Sequence, residues 1–238
     1  MLEYDGANFA GWQQQAKGRT VEAELKKALR SITGKDHVVH AAGRTDAGAH
    51  AEGQVANFLT DGRISPRRLM AALNARLPED VAVLSAEEVH DGFHARYSAR
   101  WRRYRYRYLD RPGRPALERG RSWHLRGPLD VAAMARAAKG LVGEHDWTSF
   151  CSASEPERDR VRKVRSASVA RRDGFVELEL VAEGFLRGMV RSIAGALAEV
   201  GRGERPPEWV GEVLRARDRR KAPRTAPAGG LTLMEVIY

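Results

Sequence analysis

The stretch Arg100-Trp101-Arg102-Arg103-Tyr104-Arg105-Tyr106-Arg107-Tyr108 alternates with a period of two, and that period reads as a β-strand. On a strand, Arg102, Tyr104, Tyr106 and Tyr108 share one face while Trp101, Arg103, Arg105 and Arg107 share the other. Such a segment has two readings. Guanidinium groups bind phosphates in pairs of hydrogen bonds and aromatic rings stack on unpaired bases, so the strand fits a nucleic-acid partner. The other reading is a half-buried strand with core tyrosines and a solvated arginine face. Tyr106 and Tyr108 are expected in the core; for Tyr104, nearest the strand's start and beside two arginines, both readings stand.

Helical periods surround it. Thr20 caps a predicted helix carrying Val21, Leu25, Ala28, Leu29 and Ile32, ended by Gly34. Ser65-Pro66 opens another through Leu69, Met70, Leu73 and Leu77, stopped by Pro78. Further helices are predicted over 129–142 and 186–200, with a short exposed one over 207–217. Strands are predicted over 37–42, 54–59, 81–89 and 231–238, and 161–171 with 175–182 forms a hairpin about Asp173-Gly174. The expected class is α+β: two similar α/β halves, 1–97 and 98–238, sharing a continuous mixed, mainly antiparallel sheet flanked by helices.

The 238 residues suffice for a proper core, and 42% apolar with 30% charged residues describes a soluble globular chain. Lys plus Arg number 41 against 31 for Asp plus Glu, leaving +10, which favours a polyanionic partner. Cys151 is the single cysteine, so an intrachain disulfide and Cys-rich zinc sites are excluded. No signal-like segment and no bilayer-length apolar run occur, so the expected location is the cytoplasm, without a membrane partner.

No phosphate-binding GxxxxGK[ST] loop, GxGxxG turn, GxSxG elbow or HExxH helix is present, and the seven histidines are scattered. Neither a metal nor a nucleotide cofactor is expected. What remains is the run Gly43-Arg44-Thr45-Asp46-Ala47-Gly48-Ala49-His50, one carboxylate in a glycine-flanked turn. Asp46 reads either as an ordinary turn residue, which bonds its own backbone, or as a fixed acid for base chemistry. Arg191 lies in the largely apolar Phe185–Ile193 segment; a charge beside a buried face needs a partner. Asp46 is one candidate, and Glu199 or escape of the guanidinium to solvent are others.

Taken in order, AGRTDAGAH, GQVANF, NARLP, FHARYSA, RRYRYRY, FLRGMVRSIAG and GLTLMEVIY resemble the TruA family of bacterial tRNA pseudouridine synthases, from Glu3-Tyr4-Asp5-Gly6 to Tyr238. Members begin with a longer apolar strand than Met1–Glu3, so a truncated first strand is expected. The resemblance implies isomerisation of uridine to pseudouridine at positions 38, 39 and 40 of the tRNA anticodon stem-loop, by a homodimer with no required cofactor or metal. It implies Asp46 as the catalytic aspartate, Tyr104 as the tyrosine packing on the target base, Arg191 as the aspartate's partner and Arg44 as a base-flipping arginine. Arg96, Arg102 and Arg103 are expected RNA contacts, with tRNA rather than DNA as partner. Two rival readings remain at this point: a non-catalytic basic RNA-binding module, and a synthase acting at another RNA site.

Overall fold

A computed structural model describes residues 1–61, 64–154 and 158–238. The chain divides into two compact units, the first Met1–Arg100 with Leu233–Tyr238 and the second Trp101–Thr232.

In the first unit, β1 (Leu2–Tyr4) pairs antiparallel with both β3 (His50–Gln54) and β5 (Val81–Val83), while β2 (His40–Ala41) and β4 (Ala56–Asn57) form a separate antiparallel ribbon. Helix α1 (Val21–Thr33) starts where expected: the Thr20 hydroxyl accepts from Ala23 N–H, and Gly34 closes it at φ 74°. Its Val21, Leu25, Ala28 and Leu29 are buried, as are Trp12, Phe9 and Tyr4. Helix α2 (Pro66–Asn74) ends before Leu77, and the Asn74 amide pairs with both backbone groups of Val83.

The second unit is built on β6 (Trp101–Leu109), flanked by the short parallel β7 (Trp123–His124) and by antiparallel β10 (Phe175–Ala182), then β9 (Val161–Arg172) and β8 (Gly143–Asp146). Helices α3 (Val131–Lys139), α4 (Met189–Gly201) and α5 (Glu208–Ala216) complete it. The expected alternation on β6 holds: Arg102, Tyr104, Tyr106 and Tyr108 are all buried. The Tyr108 hydroxyl donates to Ala194 O of α4 at 2.9 Å. Asp173 and Gly174 turn the β9–β10 hairpin at φ 48° and 82°, the left-handed pair that a tight hairpin twist requires. The closing strand β11 (Leu231–Ile237) lies, from Leu233 on, beside β3 of the first unit. The pairings are mixed and mainly antiparallel, and the fold is α+β as expected.

Several boundaries differ from the sequence reading. The 37–42 strand shrinks to β2 because His37 turns back, its ring nitrogens meeting Thr33 Oγ1 at 2.8 Å and Leu59 O at 2.9 Å. The 54–59 strand appears as β3 and β4, beginning earlier at His50. The 81–89 strand stops at Val83, which pairs with Leu2 of β1, and beyond it the Leu84 N–H bonds Met1 O. Helix α4 begins at Met189 rather than Leu186, because Gly188 adopts φ 72°. Helix α5 is not simply exposed: Val210, Val213 and Leu214 are buried. Strands β7 and β8 were not anticipated. Among the described residues no helix is long and apolar enough to cross a membrane.

Candidate active site

Asp46 lies between β2 and β3 in a loop whose main chain is anchored on both sides of it. Gln54 of β3 donates from Nε2 to Gly43 O at 2.8 Å, and Trp12 N–H donates to Thr45 O at 3.1 Å. Beyond Asp46, Gly48 N–H donates to Phe9 O at 3.2 Å and Ala49 N–H to Asp46 O at 3.1 Å. Side chains alternate along the loop: Arg44 is exposed, Thr45 buried and Asp46 half-buried. The inward Thr45 hydroxyl meets the Tyr4 hydroxyl at 2.8 Å in the core. Burial pushes the Tyr4 hydroxyl up to about 12, against the opposing pull of its Thr45 and Gln54 hydrogen bonds. It therefore stays protonated at neutral pH and keeps its bond to the loop.

Two glycines let the chain's first turn approach this closely. A Cβ on Gly11, which sits at φ +105°, would lie 2.8 Å from Thr45 O and 3.2 Å from Ala47 N. A Cβ on Gly6 would collide with Ala49 O. The result is a half-buried aspartate on a firmly anchored backbone, which is the arrangement that pre-organised chemistry needs.

Other candidates lie in the second unit. Tyr104, 6% exposed, packs edge-on against Phe185 with centroids 4.9 Å apart. Tyr106 and Tyr108 are fully buried; the Tyr106 hydroxyl donates to Pro227 O at 2.8 Å. Arg191 on α4 is half-buried and is held to the neighbouring segment by reciprocal bonds. Its Nε donates to Ala226 O at 2.8 Å, and Ala226 N–H donates to Arg191 O at 3.1 Å. The Arg191 charge lies near enough to Tyr106 to work against the strong upward push of burial on that hydroxyl. Glu199, the other acid open to Arg191 on sequence grounds, lies 3.7 Å from Arg205 Nε.

Arg102 is buried and donates to the Glu183 carbonyl, whereas Arg103 is half-buried and Arg96 exposed. Arg44, Asp46 and Arg96 thus belong to the first unit, and Arg102, Arg103, Tyr104 and Arg191 to the second. Among the described residues no group of three or more His, Cys, Asp or Glu is arranged to hold a metal ion. Sequence reasoning missed the residues that hold the Asp46 loop: Tyr4, Gly6, Gly11 and Gln54. The one signal available was the glycine spacing between Tyr4 and Trp12, where no helix or long strand accounted for two glycines.

A sequence model of a family described as tRNA pseudouridine synthase matches residues 1–98 and 137–238. A protein named tRNA pseudouridine synthase A from Moorella thermoacetica is 49% identical over 239 residues, covering 100% of this chain and 97% of that protein. Proteins of the same name from Methylococcus capsulatus and Brevibacillus brevis are 46% and 45% identical, each covering 100% of this chain and, respectively, 88% and 98% of their own lengths.

Proposed function

This chain belongs to the tRNA pseudouridine synthase family, and on that premise we propose that it isomerises uridine to pseudouridine at positions 38, 39 and 40 in the anticodon stem-loop of tRNA. The observation that carries the reading is the Asp46 loop: a half-buried aspartate in a loop held by Trp12 and Gln54 at its main-chain carbonyls, by Tyr4 at the Thr45 hydroxyl and by the close approach of Gly11.

The reaction breaks the N1–C1′ bond of uridine, turns the base and forms a C5–C1′ bond. The C5 hydrogen leaves as a proton and N1 gains one, so there is no net redox change or hydrolysis. One well-placed carboxylate serves such an exchange, and Asp46 supplies it from the half 1–97. The half 98–238 supplies Tyr104, whose ring packs on the target base, and Arg191 as a further substrate-binding residue. Arg44, exposed two residues from Asp46, enters the space left as the uridine leaves its stack. Arg96 and Arg103 suit phosphate contacts; the buried Arg102, committed to Glu183 O, suits a positioning role instead.

In this reading the enzyme is a cytoplasmic homodimer, and doubling the charge of +10 per chain gives a field suited to a whole folded tRNA. The test is release of tritium from unmodified tRNA carrying C5-tritiated uridine. Tritium release with matching pseudouridine at positions 38–40 is expected. Tight RNA binding without release would replace the enzyme with a binding module, and release from other positions would move the site.

A further inference from the structure

His40, on the β2–β4 ribbon that leads into the Asp46 loop, begins a row of three tilted rings with no place in the chemistry above. His40 on β2 lies against His94 with centroids 4.5 Å apart at 36°, and His94 lies against Tyr97 at 4.4 Å and 40°. The stack is open at its outer end: Tyr97 is 76% exposed. The Arg96 guanidinium lies over the Tyr97 ring, 5.5 Å from its centroid, where an arriving base would displace it toward the nucleotide's phosphate. A large exposed ring beside a cation is an ordinary surface feature when it is loosely held. This one is not loosely held.

His94 is fixed by four short-range bonds. Its N–H donates to Ser98 Oγ at 3.0 Å, its carbonyl accepts from Ser98 N–H at 2.9 Å, and its Nδ1 accepts from the N–H groups of Arg96 and Tyr97 at 3.1 and 3.3 Å. Because both backbone groups donate, Nδ1 carries no proton. Desolvation of the ring, and then the charges of His40 and Arg96, hold His94 below the usual imidazole range, which agrees. The segment is tied to the ribbon through Asn57, which pairs with His40 across β2–β4 and accepts from Ala95 N–H at 2.9 Å. On its other side Tyr238 donates to Ala95 O at 2.9 Å and packs on Phe93. The rings are therefore pre-ordered, and little side-chain freedom is lost when something stacks on them.

We propose that the exposed face of Tyr97, backed by His94 and His40, binds an unpaired nucleobase of the RNA other than the reacting uridine, with Arg96 on an adjoining phosphate. An unpaired base is the occupant because every base has a flat face to extend the stack, and the neighbouring cation meets the charge that every nucleotide carries. The position fits: five residues lie between His40 and Asp46, so the chain holds the two backbones within about 20 Å, a span that a few nucleotides bridge. The inference rests on the RNA substrate proposed above and adds a second contact outside the reacting base.

The test uses the full chain and an unmodified tRNA transcript, with Kd from fluorescence anisotropy alongside kcat, KM and melting temperature. Tyr97→Ala should raise Kd and KM about tenfold, leave kcat within about twofold and leave melting unchanged, while Tyr97→Phe behaves as wild type. Arg96→Gln should reduce the slope of log Kd against log salt by about one. An unaltered Kd and KM in Tyr97→Ala, an equal loss in Tyr97→Phe, or a loss that follows melting temperature overturns the stack. An unchanged salt slope in Arg96→Gln overturns the phosphate contact. Failure of the catalytic reading looks different: wild-type protein then binds the transcript without forming pseudouridine, and the Tyr97 effect on Kd persists.

Discussion

Replacing Gly11 by alanine probes how the Asp46 loop is held. At φ +105° an L-residue is strained by about 1–3 kcal/mol. The new Cβ would also stand 2.8 Å from Thr45 O and 3.3 Å from Asp46 C, both main-chain atoms that cannot rotate away. Thr45 must therefore yield by about half an ångström, which is roughly the tolerance within which a catalytic group has to be held. Misplacement of about 1 Å costs about a hundredfold in rate, so turnover should fall between about tenfold and a hundredfold. Gly34→Ala is the matched control. Gly34 also has a positive φ, +74°, but a Cβ there meets nothing within 4 Å. It should lose about 1 kcal/mol of stability and keep its turnover. The assay is single-turnover pseudouridine formation per folded molecule, with thermal melts of both variants and RNA affinity as a check. Equal single-turnover rates for the two variants would refute the claim that the approach of Gly11 sets the position of Asp46.

Tyr104 separates packing from chemistry: Tyr104→Phe should retain base stacking and melting temperature, while Tyr104→Ala loses single-turnover rate beyond its loss of stability. A stability loss with normal rates would make Tyr104 a core residue alone. Arg191→Met should lower the rate strongly while costing about 1 kcal/mol for the lost bond to Ala226 O, and a rate near wild type would mean that Arg191 has no part in the reaction. Alkaline stability should report the burial of the Tyr4 hydroxyl. The Tyr4 hydroxyl is raised from 10.0 to about 12, so its contribution is complete below pH 10 and is lost as pH rises through about 12. Tyr4→Phe should flatten that decline in urea-unfolding free energy, leaving what Tyr106 and Tyr108 contribute; an unchanged slope would contradict the burial assigned to Tyr4.

What the sequence made legible follows from period and punctuation. The Arg/Tyr alternation of β6, the Thr20 and Gly34 ends of α1 and the Asp173-Gly174 hairpin all rest on local signals, and each appears where expected. The misplaced boundaries depend on tertiary partners that no period shows: β5 is set by its pairing with β1, some eighty residues away, and the 37–42 strand is shortened by contacts of His37 with Thr33 and Leu59. Asp46 was legible only as part of a motif, since alone it looks like any turn aspartate. Its supports showed only as motif residues and in the glycine spacing between Tyr4 and Trp12, without their partners. Tyr4 and Gln54 lie 41 and 11 residues from their loop partners Thr45 and Gly43, and no period connects them. The ring stack of His40, His94 and Tyr97 was hidden for the same reason, as scattered histidines in sequence that the ribbon brings together in space.

The central claim is that Asp46 carries the isomerisation, and Asp46→Asn tests it most directly because the side chain keeps its size and loses its charge and nucleophilicity. Wild-type protein and the variant are incubated with unmodified tRNA carrying C5-tritiated uridine, and released tritium is followed beside RNA affinity. Wild type should release tritium, and Asp46→Asn should release none above background while binding tRNA within about tenfold of wild type, since phosphate contacts dominate affinity. Tritium release by the variant at a rate near wild type would contradict the assignment of Asp46.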